Sequence, residues 1–145
     1  MTRTSRPTTG VRRNAHVGRG VRVKAFQAVV VVLGVFMVGT GLAEVAIGPS
    51  LLPGTPAAAP TLDSNYRFFA AMWLAMGVAM LSVARRVRES TTVLRFVCAA
   101  VFVGGLARVV SWVAEGTPHP MMLVLLAIEF TVPPVLVLWQ RRWAA

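Results

Sequence analysis

From Phe26 onward the sequence is dominated by four long apolar runs, each closed by charge, proline or glycine: Phe26 to Ile47, Tyr66 to Ala84, Thr92 to Val113 and Met121 to Trp139. Few folds accommodate that pattern. A helix rises about 1.5 Å per residue, so each run is long enough to cross a hydrocarbon layer of ~30 Å. A soluble bundle needs a polar face on every helix, and Val29 to Val38 and Met121 to Ile128 offer none. A membrane barrel needs short stretches of apolar–polar alternation, which the sequence lacks. Composition agrees: 56% of residues are hydrophobic and 14% charged, with a mean hydropathy of +0.67, whereas soluble domains are about 25% charged. The expected fold is all-α, an integral membrane four-helix bundle with spans at about 26–47, 66–84, 92–113 and 121–139.

The first 23 residues differ in kind. They are rich in Arg, Thr, Ser and Gly and carry no helical periodicity, so residues 1–23 read as a flexible basic tail and 24–145 as the membrane domain. Seven of the fifteen basic residues (Arg3, Arg6, Arg12, Arg13, Arg19, Arg22 and Lys24) precede the first acid, Glu44. A formal charge of +10 invites a nucleic-acid reading, but no groove-reading helix or zinc motif accompanies it. A basic segment beside an apolar run is what the positive-inside rule produces, and it is suited to anionic lipid at the cytoplasmic surface. The first run is longer than the ~7–15 residues of a signal-peptide core, so it is expected to stay as a membrane helix.

Proline and glycine make the other breaks. Pro49, Pro53, Pro56 and Pro60 keep the segment from Gly48 to Asn65 out of regular structure, and Asp63, Ser64 and Asn65 are expected to cap a helix starting near Tyr66. Ser90 and Thr91 offer an N-cap for the third span, and Glu115 to Pro120 separates it from the fourth. The connection between the second and third spans carries Arg85, Arg86, Arg88 and Arg95, and the C-terminal end carries Arg141 and Arg142, against Arg67 alone at the opposite surface. Both termini are therefore expected in the cytoplasm. Tyr66, Trp112, Trp139 and Trp143 lie where interfacial aromatics belong, and Trp73 reads as packing or lipid contact.

Several chemistries are excluded by inventory. Cys98 is the single cysteine, so no intramolecular disulfide or CxxC pair can form, and His16 and His119 are not placed to ligate a haem between helices. No serine–histidine–acid set, phosphate loop or metal cluster is present. Neither a catalytic residue nor a metal ligand nor a cofactor is expected.

What remains is charge inside the membrane: Glu44, Arg67, Arg108 and Glu129. Such residues face the bundle interior or find partners, because a bare charge in hydrocarbon costs several kcal/mol. Arg108 lies seven residues before Glu115 and Glu129 nine residues after Pro120, placing them roughly 10 and 13 Å below the same membrane surface. Gly104, Gly105, Ser111 and Trp112 share a helix face with Arg108, and the glycines are expected to admit a neighbouring helix. Pro133 and Pro134 cannot donate to the carbonyls of Glu129 and Phe130, so an arginine with five donors suits the spot. Arg108 and Glu129 are expected to pair, directly or through water.

These motifs together — Asp63-Ser64-Asn65-Tyr66-Arg67-Phe68-Phe69, Gly104-Gly105-Leu106-Ala107-Arg108-Val109-Val110-Ser111, and Pro118-His119-Pro120 followed by Glu129 and Pro133-Pro134 — resemble the pattern of the domain-of-unknown-function family 4345, small bacterial membrane proteins with four helices. The resemblance runs from about Gln27 to Arg142. It implies the architecture and a bacterial cytoplasmic (inner) membrane location, draws attention to Arg67, Arg108 and Glu129, and supplies no reaction. The expected role is an accessory or assembly subunit with a charge-paired core, its partners the lipid bilayer and another membrane protein. The alternatives are a module binding or transporting a lipid or other amphiphile in an outer-leaflet pocket, and a membrane enzyme using Glu44 or Glu129 as acid or base.

Overall fold

The computed structural model describes residues 9–87 and 89–144, with side chains described over 23–87 and 89–142. It contains four helices, α1 (Thr9–Ile47), α2 (Pro60–Arg85), α3 (Thr91–Glu115) and α4 (Pro120–Ala144), and no strand among the described residues. All four are long and apolar enough to cross a membrane.

The helix starts depart from the sequence reading in two places. α2 begins at Pro60, not near Tyr66, with Ala59 extended at the N-cap and Pro60 in the first turn. Proline fits that position because its missing N–H would be unpaired there anyway and its φ is already helical. Asp63, Ser64 and Asn65 are thus inside the helix rather than capping it. α1 begins at Thr9, so 9–23, read as a flexible tail, continues the helix of the first span. Extending a helix already nucleated by a long apolar segment costs little per residue. The tail residues before Thr9 lie outside the described residues. Ser90 does occupy the N-cap of α3, but its hydroxyl makes no capping hydrogen bond. In the connection after α1, Pro49–Leu51 forms a single 3-10 turn.

The helices run alternately up and down as two antiparallel hairpins. α1 packs along α2 and α3 along α4, while contacts across the two seams, α2 with α3 and α1 with α4, are sparser. Small residues set the first hairpin's closeness. A Cβ on Gly77 would lie 2.8 Å from the Val38 backbone nitrogen, and one on Gly41 would lie 3.0 Å from the Leu74 backbone. Only glycine permits that approach.

The packed core occupies one half of the bundle, towards the chain termini. Phe26, Val30, Val83, Leu94, Val97 and Leu136 are buried there, and the rings of Phe26 and Trp139 meet edge to face across the α1–α4 seam. Gln140, fully buried, donates to Thr91 Oγ1 at 3.2 Å, and Gln27 donates to the Ala84 carbonyl at 2.6 Å. Every side-chain hydrogen bond linking two helices among the described residues stays within one hairpin. Outward-facing Val32, Phe96, Val103, Val110, Val113 and Val124 are all more than half exposed, the apolar coat that a lipid environment requires.

Candidate functional site

Towards the two interhelical loops (48–59 and 116–119) the core gives way to a cavity of about 860 Å³, walled by all four helices and by Leu51 and Leu52. Its deep end is apolar, with Met37, Met80, Val97 and Leu136 among its walls. Glu44, Tyr66, Arg108 and Glu129 line it as well, and their positions along the helices place them towards the loops.

Arg108 and Glu129 meet across α3 and α4. The Arg108 Nε donates to Glu129 Oε1 at 3.0 Å, and Nη1 lies 3.4 Å from the Met122 sulfur. The carboxylate is the hidden partner, with its side chain 13% exposed against 43% for the arginine. Its second oxygen, Oε2, is buried with no hydrogen-bond partner. A Cβ on Gly105 would sit 3.3 Å from Glu129 Cβ, so this glycine brings α3 onto the acid, whereas a Cβ on Gly104 would meet nothing within 4 Å. The two glycines therefore divide the roles expected of both: Gly105 makes the close approach, and Gly104 leaves open space on the cavity wall.

The other supporting residues are placed differently from expectation. Arg108 bonds the Glu129 carboxylate, not the backbone carbonyl that Pro133 cannot serve. The carboxylate is the stronger acceptor because both groups are charged. Pro133 is buried on the cavity wall and Pro134 is exposed. Trp112 donates its indole N–H to Thr117 Oγ1 at 3.2 Å, tying the end of α3 to its loop, and Ser111 is exposed.

A family model described as a domain of unknown function, DUF4345, matches residues 25–140. The chain belongs to this family. No curated protein and no solved structure matches it. The DUF4345 region takes in all the residues that line the cavity.

Within this DUF4345 domain the four intramembrane charges separate into two groups. Glu44 lines the cavity with Arg108 and Glu129, but its carboxylate has no hydrogen bond or ion pair among the described residues. Arg67 is elsewhere. It holds Asp63 with two contacts, Nε to Oδ2 at 2.8 Å and Nη2 to Oδ1 at 3.2 Å, and it donates to the carbonyls of Val45, Ala46 and Ile47. Those are end carbonyls of α1, which the helix itself leaves unpaired. Gly48 completes this clasp at φ +80, where a Cβ would collide with Arg67 Nη2 at 2.6 Å. Arg67 is a structural fastening of the first hairpin and does not belong to the cavity.

Three further residues line the cavity that the sequence reading did not place at a site: Thr40, Trp73 and Tyr66. Trp73 donates its indole N–H to Thr40 Oγ1 at 2.9 Å, and both line the cavity. The lone hydroxyl of Thr40 in an apolar run was the available signal. Tyr66, read as an interfacial anchor, instead has a buried hydroxyl with no partner. Among the described residues, no group of three His, Cys, Asp or Glu side chains is placed to hold a metal ion, and the Cys98 thiol is buried.

Proposed function

We propose that this protein is a multi-pass protein of the bacterial cytoplasmic membrane that binds an amphiphile between its hairpins, with the head towards the outer leaflet. One observation carries the reading: the cavity joins an apolar deep end to a polar end that includes a carboxylate with no hydrogen bond or salt bridge among the described residues. Pockets that hold small molecules have volumes of about 300–1,000 Å³, mostly apolar walls and a few convergent polar groups, and this one falls inside that range. An intramembrane carboxylate without a partner is a functional-site hypothesis by default. The accessory-subunit reading, in which charges only fix the bundle, has its support at Arg67, where every observed contact fastens α2 to itself or to α1.

The test uses Gly104→Leu, which fills the cavity where no neighbour obstructs the new side chain. Native mass spectrometry of the purified full chain should show a copurified amphiphile that Gly104→Leu loses, with helicity and melting temperature unchanged. Identical adduct spectra for the two proteins would refute binding in this cavity.

A further inference from the structure

Resting on that reading, we infer that the head group the cavity takes is a protonated amine: a cation that brings hydrogen-bond donors, carried on an alkyl chain. The charge balance comes first. Glu44, Glu129 and Arg108 are the carboxylates and the guanidinium lining the cavity, and with all three ionised they sum to one negative charge. Arg108 is in direct contact with Glu129 and reaches Glu44 only through space, so the surplus rests on Glu44. Charge of either sign is costly to leave uncompensated among apolar walls, and a cationic head compensates this one.

Hydrogen bonding points the same way. The buried atoms at this end without partners are oxygens, Glu129 Oε2 and the Tyr66 hydroxyl, which also carries a donor, and the Glu44 carboxylate has no hydrogen bond among the described residues. The spare donor nitrogen, Arg108 Nη2, belongs to a side chain already 43% exposed. An ammonium offers three donors and no acceptor, so it matches the deficit. A carboxylate or phosphate head would add acceptors and negative charge. Only the outer nitrogens of Arg108 could serve it, since Nε is held by Glu129, and it would add a third negative group beside Glu44 and Glu129 against one arginine. A quaternary ammonium supplies the charge without the donors. Tyr66 and Trp73 line the same cavity, and aromatic faces attract cations. Below them Met37, Met76 and Met80 wall the apolar end, and methionine's flexible thioether adapts to chains of different shape.

The experiment is photolabelling of the full chain in nanodiscs with a diazirine-bearing twelve-carbon alkylamine, the labelled residues mapped by mass spectrometry. Label is expected on cavity-lining residues, with dodecylamine competing at least about tenfold better than dodecyltrimethylammonium and dodecanoate not competing. Glu44→Gln should weaken dodecylamine competition about tenfold while the protein's helicity and melting are unchanged. A single-chain phosphatidylethanolamine, whose phosphate cancels its ammonium charge, should compete less well than dodecylamine, which would assign the amine to a free alkylamine; its competing as well as dodecylamine would overturn the charge balance. Dodecanoate competing as well as dodecylamine, or a Glu44→Gln protein labelled like the parent, overturns the amine assignment. If Gly104→Leu still abolishes labelling in that case, amphiphile binding survives. Labelling that ignores Gly104→Leu overturns both.

Discussion

Removing either member of the Arg108–Glu129 pair should destabilise the bundle unequally, and the inequality follows from their exposures. Arg108→Met leaves a carboxylate 13% exposed whose Oε2 has no partner and whose Oε1 then loses its donor. Breaking a buried pair typically costs about 3–5 kcal/mol, and the lower bound, about 3 kcal/mol, applies because the acid is not fully enclosed. Glu129→Gln keeps an amide oxygen for the Arg108 Nε and leaves a guanidinium that is 43% exposed, so only the charge-assisted part of one hydrogen bond is lost, about 1 kcal/mol. The double variant Arg108→Met/Glu129→Gln places a neutral amide in the gap, at about 1–2 kcal/mol. A coupling energy of about 2–3 kcal/mol follows, readable from a double-mutant cycle. The measurement is reversible unfolding in mixed micelles, followed by helicity as denaturing detergent is raised. Additivity within about 0.5 kcal/mol, or Glu129→Gln costing more than Arg108→Met, would refute the reasoning.

Gly48→Ala should destabilise by at least about 1–2 kcal/mol, because an L-residue at that positive φ is strained and its Cβ meets Arg67 Nη2. Arg67→Met should destabilise too, and the two losses should fall short of additive in thermal melts since both open one clasp. For orientation, cysteines placed at Thr55 and Thr117 in a Cys98→Ser background should react with an impermeant maleimide in intact cells. Reaction at Arg88→Cys in place of those sites would invert the topology.

Hydropathy and the proline and glycine breaks were enough to read the four helices, because each span must satisfy its own backbone in lipid and so announces itself locally. The meeting of Arg108 with Glu129 was legible for a related reason: equal depth on helices joined by a short connection leaves few other partners. Arg67 was misplaced because two local rules competed for Asp63. Read as a cap it is outside the helix, whereas Pro60 starts α2 early enough to put Asp63 and Arg67 one turn apart on the same helix. The cavity left no trace in any one segment. It depends on how two hairpins dock and on Gly104 facing space while Gly105 faces Glu129, a distinction of one helical step that only the assembled bundle makes.

Because all interhelical side-chain hydrogen bonds among the described residues stay within one hairpin, each hairpin can satisfy its own polar side chains before the two dock. The first can close its Arg67 fastening once α2 has emerged, before α3 has left the ribosome, and among the described residues the second takes no side-chain hydrogen bond from the first. Docking then depends on apolar shape, and lipid tails compete for that surface on nearly equal terms. The join between the halves is accordingly the bundle's softest line, and if the cavity takes a guest from the bilayer, this is the wall it could enter by without disturbing an interhelical side-chain hydrogen bond of the described residues.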